Sequence, residues 1–177
     1  MASKEKALKY SDVDKLYTMV EAVAYVNEQH ESGNWYTNEV GFATLEEAFA
    51  AAAKYDKGGA FTTSVTMLKD VKLGAYVTIS ESVNLNLGEK NITRENGTAL
   101  YVNGEGIEVN INGTTGTVSG AQAVYVDNGT VTINGGNYVG GYEAVYVINN
   151  GHAVINGGTF GAENDEEDTA EDFVKRG

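Results

Sequence analysis

The chain has 177 residues, no cysteine, no proline and a net charge of −13, so disulfides and thiolate metal sites are excluded. Only Arg94 and Arg176 carry guanidinium and the lysines are scattered, which excludes the clustered basic surface that nucleic acid requires. No apolar run reaches the roughly 18 residues of a membrane span, and an acidic surface disfavours anionic membranes.

The start, Met1-Ala-Ser-Lys-Glu-Lys6, lacks the apolar stretch of a secretory signal, so the protein is expected to be made in a cytoplasm. Residues 11–30 are predicted to form a helix. Ser11 is its cap, Asp12 and Asp14 sit in the first turn, and Val13, Leu16, Tyr17, Val20, Val23 and Ala24 recur at steps of three and four. Its stripe, above all Leu16, Val20 and Val23, is a candidate surface for a partner subunit. Residues 31–43, punctuated by Gly33-Asn34 and Gly41, are predicted to be a loop. A second helix is predicted over 44–57. Thr44-Leu-Glu-Glu47 fits a capping box, Leu45, Ala48, Phe49, Ala52 and Ala53 form one apolar face, and Lys57-Gly-Gly59 closes the helix. Such a helix suits the open end of a stack of strands.

Strand patterns follow. Thr63-Ser-Val-Thr-Met-Leu68, Tyr76-Val-Thr-Ile79 and Val83-Asn-Leu-Asn-Leu87 alternate apolar and polar residues. Then Ala99-Leu-Tyr-Val102 returns as Ala123-Val-Tyr-Val126 and Ala144-Val-Tyr-Val147, and Ile111-Asn-Gly113 returns as Ile133-Asn-Gly135 and Ile155-Asn-Gly157. The Ile-Asn-Gly step is 22 residues both times. A fixed period with two strand-like pieces per repeat marks a β-solenoid, whose repeats bury their apolar faces only by stacking. Four or five coils are expected between about residue 61 and residue 161, on the order of 20–25 Å long at about 4.8 Å per rung. Alternation turns Val124, Val126, Val131, Ile133 and Ile155 inward. It turns Tyr101, Tyr125 and Tyr146 outward in one column, a candidate strip for a neighbouring subunit or for sugar rings.

From Glu163 to Asp172 seven of ten residues are acidic, a self-repelling, solvated segment. Phe173 and Val174 follow it as a candidate docking tip. The chain therefore divides into 1–43 for attachment or oligomerisation, 44–161 as the solenoid, and an acidic tail over 162–177.

Thr44-Leu-Glu-Glu-Ala-Phe-Ala-Ala-Ala-Ala53, Val65-Thr-Met-Leu-Lys-Asp70 and the repeated Val-Thr-Ile-Asn-Gly-Gly-x-Tyr/Phe units resemble a pectate-lyase-type right-handed parallel β-helix. The resemblance implies an all-β, single-stranded solenoid of the kind found in polysaccharide lyases and hydrolases, bacterial surface proteins and bacteriophage virion proteins. Enzymes of that fold work on acidic sugars with clustered carboxylates, Ca²⁺ and a Lys or Arg base. Here Glu105, Glu108, Asp127 and Glu143 are dispersed and Arg94 is alone. His30 and His152 lack metal-ligand companions, and Asn134-Gly-Gly-Asn137 supplies no carboxylate for Ca²⁺. The sequons at Asn91, Asn96, Asn112 and Asn128 read as turn chemistry.

The expectation is a non-enzymatic virion structural protein, a capsid decoration or head fibre, with no cofactor. Its partners would be capsid proteins or further copies of itself, a trimer being the assembly that fits fibres. The alternative is a carbohydrate-binding or adhesive module at a bacterial surface, and the third reading is a degenerate polysaccharide lyase.

Overall fold

Valine and isoleucine at alternate positions, closed by glycine-rich corners, give strands too short to fold alone, and these strands are stacked. The computed structural model describes residues 4–11, 13, 16–30, 35–55, 61–162 and 174–176. Its strands are β1 (Lys6–Ser11), β2 (Leu16–Glu21), β3 (Ala24–His30), β4 (Trp35–Phe42), β5 (Phe61–Met67), β6 (Val71–Lys72), β7 (Val77–Ile79), β8 (Val83–Gly88), β9 (Ile92–Thr93), β10 (Leu100–Gly113), β11 (Thr117–Ala162) and β12 (Val174–Arg176). One helix, α1 (Leu45–Tyr55), precedes β5. The run β11 is 46 residues long and winds round the axis rather than crossing it.

Parallel pairing builds three walls. On the first, Val65 lies beside Leu85, Leu85 beside Ile111 and Ile111 beside Ile133. On the second, Val77 lies beside Leu100 and Leu100 beside Val124, while Val145 pairs with Val174 of β12. On the third, Val71 lies beside Ile92 and Ile92 beside Val118. The result is a β-solenoid of about 3 turns. This is fewer than the four or five coils expected from counting motifs.

The inward residues form the core. Leu85, Leu100, Val102, Val109, Ile111, Val124, Val126, Val131, Ile133 and Val145 are all essentially inaccessible to solvent, each contributing roughly 1.5–3 kcal/mol for a large side chain. Tyr138 is also buried; it stacks on Phe160 with centroids 5.2 Å apart and donates its hydroxyl to the Gly135 carbonyl at 3.0 Å. The corner beside it needs glycine, because Gly136 has φ of +96°. Ile155 departs from expectation. Asn156 donates to Asn134 at 2.9 Å, which sets the last rung over the previous one, yet Ile155 is 41% exposed. No further rung covers it among the described residues.

The other end is closed. β3 runs antiparallel to β5 and β4 antiparallel to β3, while Leu45, Ala48, Phe49 and Ala52 of α1 are buried in the core. The capping box is formed: the Thr44 amide donates to Glu47 Oε2 and the Glu47 amide to Thr44 Oγ1, both at 3.2 Å.

The helix expected over 11–30 is not there. Leu16 and Val20 lie in β2, which pairs with β1 as a separate antiparallel hairpin, and Val23 sits in the bend before β3 and packs against the core. The segment Leu-Tyr-Thr-Met-Val is rich in aromatic and β-branched residues, which favour strands. Ala22, Ala24 and Val26 are buried while Val23, Tyr25 and Asn27 are half-buried, a period of two that the steps of three and four masked. The expected loop over 31–43 is corrected as well, since Trp35–Phe42 is β4. Residues 31–34 and 163–173 lie outside the described residues.

Ile133→Ala is expected to cost about 2–5 kcal/mol in urea unfolding, and Ile133→Asp to leave no folded protein by circular dichroism, because it puts an unpaired charge in the central ladder. A folded Ile133→Asp protein of unchanged stability would refute the inward assignment.

Candidate functional site: an aromatic column

The outward positions of the second wall carry Tyr101, Tyr125 and Tyr146, one per rung. Adjacent ring centroids are 5.4 Å and 5.0 Å apart. Tyr76 extends the column at 5.6 Å from Tyr101, and the Arg94 guanidinium lies over the Tyr76 ring, 5.8 Å from its centroid. The edge-on and tilted contacts are those that aromatic quadrupoles favour. The sequence repeats placed three of these rings; Tyr76 was missed because Tyr76-Val-Thr-Ile79 lacks the Ala-x-Tyr-Val pattern.

A polar seam runs beside the rings. The Tyr101 hydroxyl donates to Asp127 Oδ2 at 2.8 Å and accepts from the Asn103 amide at 3.1 Å. Asn128 donates to Asn103 Oδ1 at 3.1 Å, and the Asn149 amide donates to Asp127 Oδ1. Asp127, one of the dispersed acids in sequence, thus joins three successive coils. Its hydrogen bond, with partial desolvation and its negative charge, pushes the Tyr101 phenol up to about 12. Tyr125 is also raised, by desolvation first and then by the neighbouring Tyr146 and Asp127.

Two further ladders tie the coils together. Asn86 donates to Thr66 at 3.1 Å, Asn112 to Asn86 at 3.0 Å, Asn134 to Asn112 at 2.9 Å and Asn156 to Asn134 at 2.9 Å. Thr98 donates to Gln122 and Gln122 to Glu143, each at 3.0 Å. The asparagines recur at the step of the isoleucines they follow, a signal that was readable in the repeats. The remaining candidate acids stand apart: Glu105 and Glu108 are exposed, and the Glu108 amide is bonded to Ser82 Oγ at 3.0 Å. Among the described residues no three His, Asp or Glu side chains converge to hold a metal ion.

Of the other expected interface residues, Leu16 is exposed and Val20 half-buried, both on the hairpin and away from the column. Val174 lies in β12 opposite Val145, and Phe173 falls outside the described residues. No described helix is long and apolar enough to cross a membrane. No protein-family model, curated protein or solved structure matches the chain.

Asp127→Asn is expected to lower the Tyr101 phenol from about 12 toward the ordinary value of about 10, read by phenolate absorbance. A raised folded-state value stabilises below the unfolded one, and that contribution disappears as pH rises through the folded one. The stability advantage of the parent over Asp127→Asn should therefore shrink between those two values. Identical phenolate titrations would show that the contact does not form in solution.

Proposed function

We propose that this chain is a non-enzymatic structural protein, a right-handed parallel β-helix of pectate-lyase type that serves in a bacteriophage virion as a capsid decoration or head fibre. The observation that carries the reading is the use of the outer side chains. From coil to coil, tyrosines contact tyrosines, asparagines bond asparagines, and Asp127 joins Tyr101 to Asn149. Catalytic groups are instead aimed at a reacting atom and held by supporting partners. Cross-linking each coil to the next stiffens the rod, which suits a load-bearing particle component. The virion follows from the resemblance of 44–161 to solenoids of such particles, a fold-level analogy.

A second reading, an adhesive module for glycans, is favoured by one feature. A cleft of about 300 Å³ opens between α1 and the second wall, with Glu46, Phe49, Tyr76 and Glu81 among its lining residues. Tyr76, the end of the column, is 51% exposed there. A ring face beside carboxylates suits a sugar.

Quantitative mass spectrometry of density-purified particles from the source culture should find the chain in fixed ratio to the capsid protein. Recovery with the cell envelope and not with particles would contradict the virion reading. Binding on a glycan array, lost in Tyr76→Ala, would favour the adhesive module, and release of unsaturated products from polyuronate would overturn the non-enzymatic assignment.

A further inference from the structure

Seven asparagines of this chain are followed directly by glycine, a pair suited to the tight corners of the coils. It is also a chemically labile pair, because glycine has no side chain to shield its amide nitrogen from the carboxamide beside it. Five of the seven are held: the side chains of Asn103 and Asn128 bond in the polar seam beside the tyrosines, and those of Asn112, Asn134 and Asn156 bond in the asparagine ladder. Asn150 is exposed, but Gly151 lies within β11, whose pairing fixes the backbone.

Asn96-Gly97 is different. Residues 95–97 form a bend between β9 and β10, outside any strand, and Asn96 is exposed. Among the described residues the Asn96 carboxamide has no hydrogen-bond partner and the Gly97 amide donates to none. Gly97 takes a φ of +96°, and a Cβ there would stand 3.0 Å from the guanidinium carbon of Arg94. That cation is fixed beside the bend, since its Nη1 donates to the Thr98 carbonyl at 2.6 Å. A nearby positive charge favours a negative one. The bend also borders an open cleft of about 410 Å³, lined by Lys72, Gly74, Arg94, Glu95 and Asn96, which gives water access to it.

We propose that Asn96 is a site of spontaneous covalent modification, converting to aspartate and isoaspartate through a ring closed by the Gly97 nitrogen. Hydroxide removes the Gly97 amide proton, and the nitrogen attacks Cγ of Asn96. The N–Cγ bond forms, the Cγ–Nδ2 bond breaks, and the amide nitrogen leaves as ammonia with a proton from solvent. Water then adds to one of the two ring carbonyls and cleaves the bond from that carbon to the Gly97 nitrogen. Cleavage at Cγ gives aspartate; cleavage at the main-chain carbon gives isoaspartate. Water is the only co-reactant consumed. Arg94 and Lys72 favour both the nitrogen anion and the new carboxylate, while Glu95, which opposes them, is itself paired with Lys72. The laddered asparagines close the same ring only after breaking bonds to neighbouring coils, which requires local opening. The coils therefore confine this chemistry to one bend.

The test incubates the full-length protein for days at mildly alkaline pH in water enriched in heavy oxygen, followed by peptide mass spectrometry and isoelectric focusing. The parent Asn96 peptide should be lost progressively to two labelled products of a single deamidation, one of them a substrate for isoaspartate methylation. A species with one more negative charge should build up in step. Peptides carrying Asn103, Asn112, Asn128, Asn134 and Asn156 should stay unmodified in the folded protein and react like the Asn96 peptide in urea. Asn96→Gln alters an exposed side chain without a bonded partner, so it should keep its circular dichroism spectrum and lose the acidic species. An intact Asn96, reaction at another asparagine of the folded protein at an equal or higher rate, or the same acidic species in Asn96→Gln would overturn the inference.

Discussion

One constraint governs this molecule: each coil has a single apolar face, and it can hide that face only by lying in register on the coil below. Ile111 opposite Ile133 and Val102 opposite Val126 express it residue by residue. A slip of one position would turn valines to solvent and asparagines inward. The corners obey the same requirement. Gly136 and Gly158, one repeat apart, both take a positive φ, so that the chain turns at the same place in these two coils and the next strand begins in register.

The outer surface is a consequence of that register. Because equivalent positions recur one rung apart, the outward tyrosines and asparagines meet their own kind. Asparagine amides donate to the carbonyl of the amide below, and tyrosines meet edge to face. The repeat also leaves its ends exposed. At the first, antiparallel β3 and β4 with α1 cover the core. At the last described coil Ile155 remains 41% exposed, although its sequence is that of a core residue.

The solenoid, its inward ladders, the tyrosine column and the capping helix were legible because each signal repeats or has a local cause. Val131 and Val109 share one environment, so one reading serves both, and Thr44 and Glu47 bond within a single turn. The N-terminal segment was misread because it has no repeat to correct it. Leu16, Val20 and Val23 fit helical spacing by coincidence, and the pairings that decide the matter, β1 with β2 and β3 with β5, join residues distant in sequence. The role of Asp127 was illegible for the same reason: its partners Tyr101 and Asn149 belong to other coils.

Native-state hydrogen exchange tests the stacking most directly. The amides of Val109 and Ile133 on the first wall and of Val102 and Val126 on the second belong to coils that support one another. They should open together, with one common free energy equal to that of global unfolding. Separate opening of the two walls, or exchange of these amides near the rate of an unstructured chain, would contradict the account.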